Sequence, residues 1–196
     1  MNLVPENKIC ITGDSRLDRV LERKEYEKSN LLPSSFDESR NIIFGSIDTS
    51  DYPVLFSGIK KIYPNGQKDL EMRNHRLIIV PHEVDTRSTK KIQNHLKQLG
   101  FDTTRYTEKE KLENSRVLII DVVGILADLY YYSDLAYVGA GFSTGVHSVL
   151  EPAMYNNIIS FGPNIEMLDE AKDLVKYNNV FIINNSAELS DVLKLI

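Results

Sequence analysis

Residues 134–155 read DLAYVGAGFSTGVHSVLEPAMY, and this segment decides the fold. Its first residues form a short apolar run of the kind that makes a buried strand, and the part from Ser148 to Tyr155 has the composition of a helix. The three glycines between them let the backbone approach a ligand closely, and N–H groups at the helix start point back at this glycine loop. The segment therefore predicts a strand, a ligand-binding loop and a helix, with Glu151 one turn into the helix.

The same alternation runs through the rest of the chain. Short apolar runs, several of them without a polar residue, alternate with longer amphipathic segments. Strands that are covered on both faces have this composition, and they belong to parallel sheets. The predicted strands are Lys8–Thr12, Asn41–Gly45, Arg76–Val80, Thr103–Tyr106, Arg116–Ile120, Leu135–Val138, Ile158–Phe161 and Val180–Ile183. The pattern predicts a single α/β domain over residues 8–196 with a doubly wound parallel sheet, Rossmann-like, and residues 1–7 as a linker remnant.

Composition and charge narrow the class of protein. The chain has a formal net charge of −5, whereas non-specific binding to nucleic acid relies on clustered Lys and Arg. Cys10 is the single cysteine, so no internal disulfide forms, which fits a reducing compartment. The sequence has no signal peptide and no apolar run of the ~18 residues that a membrane helix needs. We therefore expect a cytoplasmic globular domain that does not bind nucleic acid.

Four predicted strand-to-helix junctions carry glycine, hydroxyl, imidazole or carboxylate groups. In a doubly wound sheet such junctions lie along one edge and can converge on one ligand. The junctions are Gly45–Asp48, Pro81–Glu83, Asp121–Leu126 and the glycine loop. This convergence is a stronger signal for a binding site than any one of the four motifs.

The first three junctions also have structural interpretations. The Ser46 hydroxyl suits a phosphate, and so does the His82 imidazole, although a lone histidine is more often structural. Gly124 permits close contact with a planar base, or it is a plain turn. At the first junction, the alternative is that Ser46, Asp48, Thr49 or Ser50 caps the following helix. At the second junction, the alternative is that Glu83 and Asp85 lie in the first turn of the following helix.

His147 and Glu151 are four residues apart, which places them on one face of the predicted helix. A metal site needs at least a third ligand, and no His or Cys lies at a useful spacing, so we predict no metal. Glu151 suits a ribose diol, because a carboxylate accepts hydrogen bonds from two adjacent hydroxyls. The alternatives are a solvated helix glutamate and a capping box, in which Glu151 reaches back to His147 or Ser148.

Several common motifs are absent from the sequence. The glycine loop is not a dinucleotide fingerprint, because it falls late in the chain and no acidic residue follows at the usual distance. The sequence has no GxxxxGK[ST] phosphate loop, no GxSxG segment and no Cys–His pairing. We therefore predict no cofactor, and the sequence favours neither NTP hydrolysis nor thiol catalysis.

Five segments resemble those of one known family. Thr12–Val20 reads TGDSRLDRV, similar to a TGDTRFDRV segment, and Ile78–Glu83 resembles a strand that ends in Pro-Arg-His-Pro-Glu. Asp121–Leu126 resembles an Asp-Thr-Met-Gly-Glu-Leu region, and Gly145–Ala153, GVHSVLEPA, resembles a GGHNPLEPA block that is followed by Phe-Gly-Pro, as in Phe161–Asn164. From about residue 8 to its end, the chain thus resembles the carboxyl-terminal half of the 3-deoxy-D-manno-octulosonic acid (Kdo) transferases.

This resemblance implies a GT-B glycosyltransferase, which has two Rossmann-like domains and binds the nucleotide sugar CMP-Kdo in the carboxyl-terminal one. It implies that Ser46 and His82 face the phosphate and that the backbone at residues 124–126 contacts cytosine. It also implies that His147, Ser148 and Glu151 bind the phosphate and ribose, without a metal. The full implied donor-binding set is Ser46, His82, Glu83, Gly124, Ile125, Leu126, Gly141, Gly145, His147, Ser148 and Glu151.

The chain departs from the family pattern at three places. No arginine stands beside His82, Ile125 replaces the usual glutamate, and Ser148 replaces the usual asparagine. A shorter set of phosphate ligands weakens the expectation that donor specificity is unchanged.

The implied function is donor binding in the transfer of Kdo to a lipid A precursor, during lipopolysaccharide biosynthesis at the cytoplasmic face of the inner membrane. In the family the amino-terminal half carries the acceptor site, the membrane anchor and the catalytic base. We therefore expect no catalytic residue in this chain and no turnover by the chain alone. Two alternatives stay open: half of another GT-B glycosyltransferase or UDP-sugar 2-epimerase, and a non-catalytic Rossmann-like interaction module.

Overall fold

The computed structural model describes residues 18, 20–22 and 30–196. The predicted strand Lys8–Thr12, the linker at residues 1–7 and most of the Thr12–Val20 segment lie outside these residues. The predicted sheet and its helices can be compared with the structure from residue 30 onward.

Seven parallel strands form one sheet over the described residues. They are β1 (Arg40–Ile47), β2 (His75–Pro81), β3 (Thr104–Arg105), β4 (Val117–Ile119), β5 (Leu135–Val138), β6 (Ile158–Phe161) and β7 (Val180–Ile182). Their order is β3-β4-β2-β1-β5-β6-β7, so the first of these strands lies in the middle. The predicted doubly wound parallel sheet is confirmed, and each of the seven strands overlaps a predicted one.

The central residues of β1, β2, β4 and β5 are apolar because helices cover both faces of the sheet. In β1, Ile42 and Phe44 pack into one core cluster, whereas Ile43 between them packs into the cluster on the opposite face. The helices are α1 (Tyr52–Ile62), α2 (Gln67–Arg73), α3 (Thr86–Gln98), α4 (Leu126–Leu129), α5 (Leu150–Met154), α6 (Asp169–Leu174) and α7 (Ser186–Leu193). Residues of α1, α2, α3 and α7 pack on the Phe44 face, and residues of α4, α5 and α6 pack on the other.

The winding of the chain reverses between β1 and β5. From β1 the chain continues to β2 on one side, and β5 pairs with β1 on the other side. Ligands of doubly wound sheets bind beyond the carboxyl ends of the strands at such a reversal. The ends are close together, since a Cβ added at Gly139 would lie 2.4 Å from the carbonyl oxygen of Ser46.

The helix after the glycine loop begins later than the sequence predicts. It starts at Leu150, not Ser148, and has five residues. The reason is that loop contacts hold the preceding backbone: the His147 N–H donates to the Gly139 carbonyl, and the Val146 N–H donates to the Asn164 carbonyl. The prediction that His147 and Glu151 share a helix face is therefore wrong, because His147 lies in the loop.

Candidate functional site

A cavity of about 270 Å³ opens at the reversal between β1 and β5. Its walls come from separate parts of the chain, namely the ends of β1 and β5, the α4 region, the loop before α5, and α5 itself. The lining residues are Ser46, Leu126, Ala127, Tyr130, Val138, His147, Ser148 and Glu151. The cavity thus brings polar groups of distant sequence segments onto an apolar floor, as small-molecule sites do.

Two imidazoles and a hydroxyl meet at one side of this cavity. The Ser46 hydroxyl lies 3.3 Å from Nδ1 of His82, and the His82 ring stacks on the His147 ring with centroids 4.5 Å apart and planes at 14°. The His82 N–H donates to the Ile47 carbonyl at 2.9 Å, which fixes the chain after β2 against the end of β1. Ser46 has a φ of 55°, a left-handed conformation that costs energy for a non-glycine residue.

His147 is held in its neutral form. Burial lowers its pKa, and the charge of His82 lowers the pKa further, while Asp48 and Asp51 act in the opposite direction. Its Nε2 atom is buried and has no hydrogen-bond partner within residues 30–196. A buried imidazole nitrogen without a partner is uncommon, because burying an unpaired polar group is costly.

Ser148 and Glu151 form a second polar group on the wall of the cavity. The Ser148 hydroxyl donates to a Glu151 carboxylate oxygen. The proposed capping box is not what the structure has, since this bond joins two side chains and Val149 is the N-cap residue. Burial raises the pKa of Tyr130, and the nearby charge of Glu151 raises it further, so the phenol stays protonated beside the carboxylate.

Asp51 anchors the glycine loop, and the sequence analysis missed it. Its fully buried carboxylate accepts hydrogen bonds from the Tyr137 hydroxyl at 2.7 Å, the Ala140 N–H at 3.0 Å and the Asp48 N–H at 2.9 Å. Burial raises the pKa of Asp51, although these three bonds oppose the rise. Ala140 has a φ of 67°, and the bond to Asp51 holds that turn in place.

Asp48 ties a second point of the loop to the end of β1. Its carboxylate accepts from the Ser143 hydroxyl at 2.8 Å and from the Ser50 N–H at 2.7 Å. Burial acts to raise its pKa, but the hydrogen bonds from Ser50, Ser143 and Asp51 outweigh burial and the pKa is lowered. The predicted caps of α1 are wrong, because the N-cap residue is Asp51 and it makes no side-chain capping bond.

Sequence comparison finds relatives among glycosyltransferases, although no protein-family model matches the chain. It is 26% identical over 181 residues, 90% of its length, to a bifunctional glycosyltransferase/methyltransferase of Fusobacterium nucleatum. It is 27% identical over 175 residues to a Kdo transferase of Chlamydia pneumoniae and 29% identical over 153 residues to one of Aquifex aeolicus, covering 85% and 76% of the chain. The chain is related to the Kdo transferases. It spans 26%, 37% and 39% of the length of these three relatives.

Solved structures of other proteins have the same fold as this chain. The carboxyl-terminal CMP-Kdo binding domain of WaaA from Acinetobacter baumannii superposes with a TM-score of 0.65 at 16% identity, covering 92% of this chain and 86% of that one. A UDP-GlcNAc 2-epimerase of Methanocaldococcus jannaschii has a TM-score of 0.51 at 18% identity, covering 98% of this chain and 49% of that one. The chain therefore has the Rossmann-like fold of one half of a GT-B protein.

The cavity between β1 and β5 brings together part of the predicted set of donor-binding residues. Ser46, Leu126, His147, Ser148 and Glu151 line it, and His82 joins it through Ser46 and His147. The predicted residues that do not line it are Glu83, Gly124, Ile125, Gly141 and Gly145.

Some of these outlying residues have clear structural roles. Gly141 permits close packing, since a Cβ there would lie 2.5 Å from the Gly162 nitrogen. Gly145 has a φ of 123°, which favours glycine. Glu83 is exposed and lies before α3, and Asp85 is the N-cap of α3 and accepts from the Ser88 N–H at 2.7 Å. The interpretation that both residues lie in the first helical turn is therefore wrong.

Residues 18, 20–22 and 30–196 contain no group of three or more His, Cys, Asp or Glu side chains placed to hold a metal ion. No helix among them has both the length and the apolar character to cross a membrane. Asp51, which anchors the glycine loop, and Tyr130, which lines the cavity, carry no local sequence signal for these roles beyond their position next to a strand end or a helix.

Proposed function

We propose that this chain is the donor-binding domain of a Kdo transferase and that it binds CMP-Kdo in the cavity between β1 and β5. The observation that carries this proposal is the meeting of Ser46, His82, His147 and Glu151 at the carboxyl edge of a doubly wound sheet. We propose that the domain extends over residues 8–196. The Kdo transferases that match most of the chain, and the CMP-Kdo binding domain of WaaA with the same fold, support the choice of nucleotide sugar.

Each polar group has a role that follows from its chemistry. The Ser46 hydroxyl and the two imidazoles suit the phosphate, because all three can donate hydrogen bonds to its oxygens. The Glu151 carboxylate suits the ribose diol, exchanging its bond to Ser148 for bonds from two adjacent hydroxyls. The backbone at residues 124–126 would contact the cytosine, and the exposed Gly124 leaves the room for it.

In the proposed reaction an acceptor hydroxyl oxygen bonds to the anomeric carbon of Kdo, and the bond from that carbon to the phosphate oxygen breaks. The hydroxyl proton goes to a general base, and the electron pair leaves with CMP. This chain stabilises the leaving phosphate through Ser46, His82 and His147. We propose that the base, and the site for a lipid A precursor, belong to a second domain at the cytoplasmic face of the inner membrane, so that the chain alone binds donor without turnover.

Calorimetric titration with CMP and with UDP tests this proposal directly. We expect CMP to bind and UDP to bind at least tenfold more weakly, since the base contacts suit cytosine. Glu151→Gln should weaken CMP binding by about 1.5–3 kcal/mol, the range for losing a hydrogen bond to a charged group. The matched control is Glu166→Gln, which alters an exposed glutamate after β6 and should leave binding unchanged.

Two results would argue for the other interpretations. Preferential binding of UDP-sugars would favour half of a 2-epimerase or of another glycosyltransferase. A stable fold with no affinity for either nucleotide would favour a non-catalytic interaction module.

A further inference from the structure

The stacked histidine pair has a geometry that opposes double protonation. His82 lies after β2 and His147 lies before α5, and their ring centroids are only 4.5 Å apart. Two imidazolium rings at this separation repel each other, although solvent at the exposed His82 screens part of this repulsion. In the free protein, the His82–His147 pair therefore resists a second positive charge.

The neighbouring carboxylates compensate this repulsion only in part. Asp48 and Asp51, after β1, face His147, but their oxygens already accept hydrogen bonds from loop donors such as Ser143 and Ala140. From the opposite wall, Glu151 accepts from Ser148, and the Tyr130 phenol is neutral. Burial and His82 together lower the pKa of His147, so it is neutral near pH 7 in the free protein.

We propose that the His82–His147 pair is a proton-coupled phosphate receptor, which takes up one proton from solvent when a nucleotide phosphate enters the cavity beside Ser46. This inference rests on the proposed function and specifies how the same site holds its ligand. The anion offsets the repulsion between the rings and favours a positive charge on the pair, so one ring that is neutral in the free protein becomes protonated when the phosphate binds. The proton moves from the buffer onto an imidazole nitrogen, and no bond in the ligand forms or breaks.

The direction of the pH dependence follows from this proton. The bound pair holds more protons than the free pair, so affinity rises as pH falls, by up to about tenfold per pH unit for one coupled proton. The added charge also has a use in transfer. The phosphodiester of a CMP-sugar carries one negative charge and the departing CMP carries nearly two, so a positive charge on the pair stabilises the leaving group more than the substrate.

Calorimetry with the methyl ester of CMP measures the proton directly. This probe is a phosphodiester whose own charge is constant between pH 6 and 8, so any proton taken up belongs to the protein. At pH 7.5, in three buffers of different ionisation enthalpy, we expect an uptake of about 0.5–1 proton per ligand bound. Binding with an enthalpy that does not depend on the buffer would overturn this inference and leave the proposed function standing. Absence of binding would overturn both.

Histidine variants locate the proton. His82→Gln and His147→Gln should each reduce the uptake to less than half of the wild-type value. The control is His95→Gln, whose ring stacks on Phe56 away from the cavity and whose loss should leave the uptake intact. Full uptake in both cavity variants would overturn the assignment. If a variant no longer binds, proton NMR of the wild-type imidazoles decides: the ester should raise the pKa of one ring of the pair, and unchanged values would contradict the inference.

Discussion

Asp51 joins the end of β1 to the glycine loop through its bonds with Asp48, Tyr137 and Ala140. Asp51→Asn keeps the shape but replaces one acceptor oxygen by a donor, which leaves a buried N–H or hydroxyl without its partner. We expect a loss of about 1–3 kcal/mol in the free energy of unfolding, measured in urea, together with weaker CMP binding. Asp37→Asn, at an exposed site, is the control and should change neither quantity. A stable variant with normal binding would show that the anchor is dispensable.

His75 is a single residue that should make the stability of the fold depend on pH. Burial, and then the charge of Arg73, lower its pKa below the ordinary value, and its Nδ1 lies 2.8 Å from the Tyr63 hydroxyl. The unfolded chain then binds more protons than the folded chain near pH 6.5, so the free energy of unfolding falls as pH falls through this value. Urea unfolding between pH 7.5 and 5.5 should show this slope, and His75→Gln should make it shallower. An equal or steeper slope in the variant would contradict the assignment.

Single residues show where sequence patterns stop being informative. The local sequence placed five residues close together at the carboxyl edge of the sheet, because all of them follow strand ends or the glycine loop. These residues are Ser46, His82, His147, Ser148 and Glu151. It missed Asp51, since hydrogen bonds to Tyr137 and Ala140 join residues almost ninety positions apart. Such a contact depends on the order of the strands, and spacing within one segment does not contain it.

At the scale of elements, apolar runs identified the described strands, and helix starts were less certain. Leu135–Val138 and Ile158–Phe161 have the predicted bounds, because both runs end at glycine or begin after a polar residue. The α5 helix starts two residues late because loop hydrogen bonds from residues 146 and 147 compete with helix formation. Gly100, with a φ of 86°, follows Leu99, the C-cap residue of α3.

Gly139 tests the close approach of β1 and β5. A methyl group in Gly139→Ala would lie 2.4 Å from the Ser46 carbonyl oxygen and 2.7 Å from the Ile47 Cα, so the backbone must move. We expect a loss of about 1–3 kcal/mol in stability and a marked loss of CMP affinity, by urea unfolding and calorimetry. The control Thr144→Ala alters an exposed residue of the same loop and should be neutral. Unchanged CMP affinity in Gly139→Ala would show that nucleotide binding does not depend on the close contact between β1 and β5.

A substitution in α7 tests how this helix packs on α1. Leu189 is fully buried and packs against Gly58, where an added Cβ would lie 2.8 Å from a Leu189 methyl carbon. Leu189→Ala should lower the free energy of unfolding by about 2–4 kcal/mol, through lost burial and the cavity that is left. Leu195→Ala, 55% exposed on the same terminal segment, should have a small effect. Similar losses for the two variants would contradict the packing described for α7.

For the whole molecule, the sheet order explains why four distant segments form one site. Because β1 is central and the winding reverses beside it, the loops after β1, β2, β4 and β5 lie along one edge. The alternation of apolar and amphipathic runs predicted this class of fold, and the convergence of the loops followed from the fold. The stacking of the two histidines required the actual geometry of the loops.

A crystal structure of the chain with CMP bound tests the central claim most directly. The account predicts the phosphate within hydrogen-bond distance of Ser46 and of at least one ring of the His82–His147 pair, with the ribose hydroxyls on Glu151. A nucleotide bound elsewhere would contradict it, for instance in the polar cleft beside Thr89 and Arg105 at the start of α3.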